Sequence, residues 1–128
     1  MIKTTLFLLA AFFAATGVFM FAAPLAWYEA TPGVSMMGPF NQHFVRDVGL
    51  VFIASAAGLA LGAARDNRDA ALIGAAWPAM HAVFHIVIWV GRGAPADLVA
   101  AVNLFGIQAP AWLALWAAAR LPRFGEQS

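Results

Sequence analysis

The sequence predicts an all-α fold: four transmembrane helices packed as an antiparallel bundle, one domain over residues 1–128. Three observations carry that expectation. Hydrophobic residues make up 63% of the chain and charged residues 10%, with a mean hydropathy of +0.81, whereas a soluble domain carries about a quarter of its residues charged. The apolar residues fall into four blocks, each near the ~20 residues that a helix needs to cross the hydrocarbon core. Short stretches rich in proline, glycine and charge separate the blocks, and such stretches end helices.

The first block, residues 4–28, is apolar and ends in Trp27 and Tyr28, an amphipathic pair suited to the headgroup level. A cleaved signal peptide is the rival reading, with Lys3 as its positive start and Ala22-Ala23 as small residues at a cleavage point. The block exceeds the ~7–15 residues of a signal-peptide core, which favours a retained helix. Pro32, Gly33, Gly38 and Pro39 make the next stretch a loop, and it can fold over the bundle mouth as a lid, with Met36 and Met37 in it. The second helix covers residues 40–64. Arg65 to Asp69 form a polar hinge in which Asp66 or Asn67 caps the third helix, residues 70–90. Pro95 and Asp97 suit the first turn of the fourth, residues 96–121.

Basic residues orient the bundle. With the N-terminus inside, Lys3, Arg65, Arg68, Arg120 and Arg123 lie on the cytoplasmic side, against Arg46 and Arg92 outside. That asymmetry predicts cytoplasmic N- and C-termini.

Composition also excludes chemistry. There is no cysteine, which removes disulfides, thiolate metal sites, iron–sulfur clusters and thiol catalysis. A net charge of +1 and the lack of a basic patch argue against nucleic-acid binding. Ser35 and Ser55 have no orienting histidine at matched depth, so the sequence points away from an enzyme.

What remains is a polar constellation. His43 and Asp47 are four residues apart, as are His81 and His85, and residues four apart share a helix face. At 1.5 Å per residue, Asp47, His85 and Asn103 each lie ~9–10 Å below the outer boundary. The His43–Asp47 face continues toward Gly58 and Gly62, small residues that permit close helix contact. That continuity predicts that His43 and Asp47 point into the bundle. Pro78, three residues before His81, predicts a kink below the histidines.

Taken singly, each of these residues has a structural explanation: an Arg46–Asp47 ion pair at the interface, or histidines bonded to carbonyls. Together, several ionisable groups at one depth point to a site, because an aspartate at the bilayer centre costs about 2.5–3.5 kcal/mol. One expectation is a transition metal or metal cofactor held by His43, Asp47, His81 and His85, with Arg46 and Asn103 around it; imidazole and carboxylate suit zinc or copper(II). A second is a b-type haem between a histidine of helix two and one of helix three. A third is a non-catalytic accessory or assembly subunit, with the lipid bilayer and a membrane protein or second copy as partners.

The block Gly38-Pro39-Phe40-Asn41-Gln42-His43-Phe44-Val45-Arg46-Asp47-Val48-Gly49 resembles small four-helix bacterial membrane proteins carrying G-P-[FY]-N-x-H-[FLI]-x-R-D-x-G after the first helix. Pro78-Ala79-Met80-His81-Ala82-Val83-Phe84-His85 is similar to their P-x-x-H-x-x-x-H segment. In size and layout the group is distantly similar to DoxX-like proteins. The resemblance implies a bacterial inner-membrane location and the choice of residues, and it implies no mechanism.

Overall fold

A computed structural model describes residues 1–122 and is helical throughout, with four stretches long and apolar enough to cross a membrane: Ile2–Ala22, Gln42–Arg65, Arg68–Gly91 and Leu98–Ala119. The chain is therefore a multi-pass membrane protein with lipid-facing helices. The orienting residue Arg123 lies outside the described residues.

The first span departs from its expected form. Helix α1 (Ile2–Ala22) stops at Ala23, which has φ −134° and ψ 61°, and a short helix α2 (Pro24–Ala30) follows. Pro24 is the cause: it has no N–H for the carbonyl of Met20, and its ring pushes the residue before it out of helical geometry. The expected single helix over residues 4–28 is thus two. Trp27 and Tyr28 sit on α2, where the Tyr28 hydroxyl donates to the Gly38 carbonyl at 2.8 Å. A 3₁₀ turn, Val34–Met37, completes the connection. Gly33 has φ +90°, and a Cβ there would fall 2.6 Å from Val99. The loop thus rests against the start of the fourth span.

Helix α3 (Gln42–Arg65) begins with an Asn41 side chain that accepts from the Phe44 N–H at 3.1 Å. Helix α4 (Arg68–Gly91) begins in the same way, Asn67 accepting from Ala70 at 3.0 Å. Of the two expected caps Asn67 is the one used. Asp66 instead takes the left-handed conformation that ends α3 and pairs with Lys3 at 2.6 Å. Pro78 does not interrupt α4.

The fourth span starts later than expected. Pro95 lies outside the helix, and Asp97 is the N-cap rather than a first-turn residue. Helix α5 (Leu98–Asn103) widens into a π turn, Leu104–Gln108, before helix α6 (Ala109–Ala119). Pro110 accounts for the π turn. Its ring crowds the carbonyl four residues back, and widening the turn by one residue relieves the clash.

The helices close in a ring: α1 on α3, α3 on α4, α4 on α6, and α6 back on α1. Two seams of small residues draw them together. A Cβ on Gly17 would meet the Gly49 carbonyl at 2.5 Å, joining α1 to α3. Gly58 faces Gly74, and Gly62 faces Ala71, joining α3 to α4. The close contact expected of Gly58 and Gly62 is therefore present. Phe13, Leu6, Met20 and Leu59 fill the centre.

Candidate functional site

The two histidine pairs have different fates. On α3 the buried residues are Val45, Gly49, Phe52, Ser55, Ala56, Leu59, Gly62 and Ala63. His43 and Asp47 flank Val45 by two residues on either side. Two residues turn a helix by about 200°, so both stand opposite the buried stripe. Their side chains are 85% and 58% exposed, and His43 Nδ1 lies 2.7 Å from Asp47 Oδ2. The expectation that they point into the bundle is corrected: they form a pair on the outer surface of α3. Steps of four and three drift around the helix, and the face drawn from His43 had rotated about 100° by Gly62.

Arg46 does not pair with Asp47. Its Nε donates to the Phe21 carbonyl at 3.1 Å, and its guanidinium lies over the Phe21 ring. Phe21 is in the last turn of α1, where carbonyls lack helical partners and a cation is favoured. Arg46 is therefore a C-terminal cap for α1, reached from the neighbouring helix.

His81 and His85 face inward, half-buried. The His81 ring stacks on Trp77 with centroids 4.7 Å apart and an interplanar angle of 13°, and it meets His85 edge-on at 4.5 Å. Trp77 in turn meets Phe52 at 4.9 Å, and Phe52 meets Phe13 at 5.8 Å. An aromatic ladder thus runs from the core of α1 to the imidazoles. Among the described residues, neither imidazole makes a hydrogen bond to the protein, and Arg68 Nε is the buried side-chain nitrogen or oxygen without a partner.

His85 lines a small cleft with Ile88, Trp89, Arg92, Val99, Ala100 and Asn103, holding about 30 Å³ of water-accessible space. The matched depth of His85 and Asn103 is thus realised as a shared cleft. At its mouth Arg92 pairs with Asp97 at 2.6 Å, and Trp89 Nε1 donates to the Pro95 carbonyl at 2.9 Å. Asn103 links the cleft to a hydrogen-bond network centred on Gln108, which depth matching does not pick out. Gln108 Nε2 donates to the Ala82 carbonyl at 2.8 Å and to Asn103 Oδ1 at 3.1 Å, and Gln108 Oε1 accepts from Trp112 at 3.0 Å. Gln108 ties the fourth span to α4 beside the histidines. The signal for it was present: Asn103 and Gln108 are lone polar residues in an apolar block, just before Pro110.

The four expected ligands are not brought together. Among the described residues, no group of three or more histidine, aspartate or glutamate side chains is placed to hold a metal ion. Nor do a histidine of α3 and one of α4 face each other across a common slot. His81 and His85 lie one turn apart on a single helix, His43 faces away, and the cleft has room for a few water molecules.

The Asp97 carboxyl is held below its usual range, first by the Ala100 N–H at 2.8 Å and then by Arg92. Its folded pKa is depressed, so its contribution to stability is present above the unfolded carboxylate value, ~3.9, and is lost as pH falls through the folded value. Acid is expected to loosen the α4–α5 turn. Protection factors at Leu98–Ala101, with the intrinsic exchange rate at each pH divided out, should fall from pH 6 to pH 3; in Asp97→Asn, whose side chain does not titrate, they should stay level.

The chain matches no family model, no curated protein and no solved structure.

Proposed function

We propose that this multi-pass membrane protein binds a divalent transition-metal ion, zinc or copper(II), through His81 and His85. The observation that supports this reading is the imidazole pair itself: two rings one helical turn apart, 4.5 Å between centroids, without hydrogen-bond partners among the described residues. Histidines at i and i+4 on one helix can both reach a single ion. Two protein ligands leave positions open on the metal for water or an incoming group. Stacking on Trp77 holds the His81 ring, and the Gln108 network holds the backbone at Ala82 between the two histidines. Bound metal would supply a Lewis acid facing the cleft.

The test is elemental analysis of protein purified in mild detergent without chelator, then loaded with Zn²⁺ or Cu²⁺ and desalted. One equivalent is expected in the wild type and in His43→Ala, and less than a tenth of that in His81→Ala/His85→Ala. Equal metal in the double variant, or an equal loss in His43→Ala, sinks the reading.

An accessory-subunit role is favoured by a separate observation. The upper half of the fourth span, Leu98–Asn103 and Leu104–Gln108, has no buried residue, and Leu98, Leu104 and Phe105 stand out from it. A stoichiometric protein retained in mild detergent, and lost on Phe105→Asp, is its test.

A further inference from the structure

The two ends of the bundle treat their guanidinium groups differently. At the Trp89 end both arginines are engaged by the chain: Arg46 with the Phe21 carbonyl and Arg92 with Asp97. At the Lys3 end the described basic side chains are Lys3, Arg65, Arg68 and Arg120, one from each of the four spans or their edges, against the two carboxylates Asp66 and Asp69. Asp66 is taken by Lys3 at 2.6 Å. Among the described residues, Arg65, Arg68 and Arg120 have no carboxylate partner.

Arg68 is the most demanding of these. Its Nε is buried and has no acceptor among the described residues. The side chain as a whole is half-buried, and its two terminal nitrogens reach the surface without an acceptor among the described residues, so the fork is held in place and open to an external anion. The position follows from the fold: the Gly62–Ala71 contact brings the ends of α3 and α4 together, and Arg65 and Arg68 flank that crossing. Arg120 lies over the ring of Trp116 at 5.2 Å, and Trp116 is 47% exposed. An arginine above an exposed tryptophan at the end of an apolar span marks the headgroup level.

We propose that the Lys3 end of the bundle holds the phosphate of an anionic phospholipid, seated on Arg68 and flanked by Arg65 and Arg120. The planar guanidinium fork matches phosphate oxygens two at a time. At the headgroup level phosphate is the abundant acceptor, and a net negative headgroup meets the surplus of basic over acidic side chains there. The lipid answers both observations together: a half-buried guanidinium without an acceptor, and, among the described residues, arginines without a carboxylate partner at the Lys3 end. It does not depend on the metal reading, since the histidines lie toward the opposite end of α4.

The test uses the full chain in a neutral detergent, supplemented with phosphatidylglycerol, phosphatidylcholine or inorganic phosphate. Melting temperature and lipid retained in native mass spectrometry are read together. Phosphatidylglycerol is expected to raise the melting temperature, with one molecule retained at least tenfold above phosphatidylcholine. Arg68→Gln should abolish that preference, while Arg92→Gln, at the other end, keeps it. If Arg68→Gln does not fold, Arg65→Gln/Arg120→Gln should lower the preference several-fold. Equal retention of the two lipids overturns the proposal, as does an Arg68→Gln protein that still selects phosphatidylglycerol. An equal melting shift from inorganic phosphate also overturns it, in favour of a site for the free anion.

Discussion

Gly74→Leu is expected to remove the cooperative thermal transition of this protein in mild detergent. A Cβ at Gly74 would lie 2.6 Å from the Leu59 nitrogen and 2.8 Å from both the Gly58 carbon and the Ser55 oxygen. All three are backbone atoms of α3, so no side chain can rotate away to make room. The helices themselves must separate. In lipid no hydrophobic force pulls them back, because acyl chains are as apolar as leucine and association rests on close packing. Separation therefore forfeits the Gly58–Gly74 and Gly62–Ala71 contacts together. Overpacking a core typically costs 1–3 kcal/mol, and a clash confined to backbone belongs at about 3 kcal/mol or above. Ile73→Leu is the control, since Ile73 is 76% exposed and should melt with the wild type. A Gly74→Leu protein that also melts with the wild type would show that α3 and α4 do not meet backbone to backbone.

Phe52→Ala should have the next largest effect, for the opposite reason. Phe52 is 8% exposed and stands between Phe13 of α1 and Trp77 and His81 of α4. Removing its ring leaves a cavity that three helices border and none can fill alone. Phenylalanine-to-alanine changes in packed cores cost about 3–5 kcal/mol. The same substitution frees one face of Trp77, so its fluorescence should shift to the red as water or detergent enters. Phe44→Ala, at a residue 64% exposed, should leave both signals unchanged. A stable Phe52→Ala protein with an unshifted spectrum would mean that the ladder does not carry packing from α1 to the imidazoles.

Much of this molecule was legible in the sequence because the membrane imposes simple rules. Span length, hinge polarity and asparagine caps are local properties, and the helices at Gln42–Arg65 and Arg68–Gly91 begin and end within about two residues of where those rules place them. Pro24 was legible too, since a proline rule of equal simplicity applies there, but a uniform apolar run masked it. The direction of His43 and Asp47 needed a different argument. Matching depth says nothing about azimuth, and azimuth follows from which stripe is most buried: Val45, Gly49, Phe52, Ala56, Leu59 and Ala63 outweigh one pair of polar residues at the helix mouth. His81 and His85 meet on one side of α4, as their four-residue spacing implies. Their neighbours across the cleft were harder to read, because Gln108 reaches Asn103 only after Pro110 has altered the winding between them.

That altered winding amounts to a phase slip. In an unbroken α-helix Asn103 would stand above Pro110, seven residues on, along the seam that continues through Ala111 and Ala114. Residues five apart would lie about 140° from each other. The i to i+5 bond from the Ala109 N–H to the Leu104 carbonyl adds one residue to the turn and brings Asn103 over Gln108. The two halves of the fourth span are therefore read in different frames: the lower half aligns its alanines with the bundle seam, and the upper half aligns its amides with α4. One residue more or less between Leu104 and Gln108 would change which of those alignments survives, so chain length over those five positions is itself a determinant of the cleft.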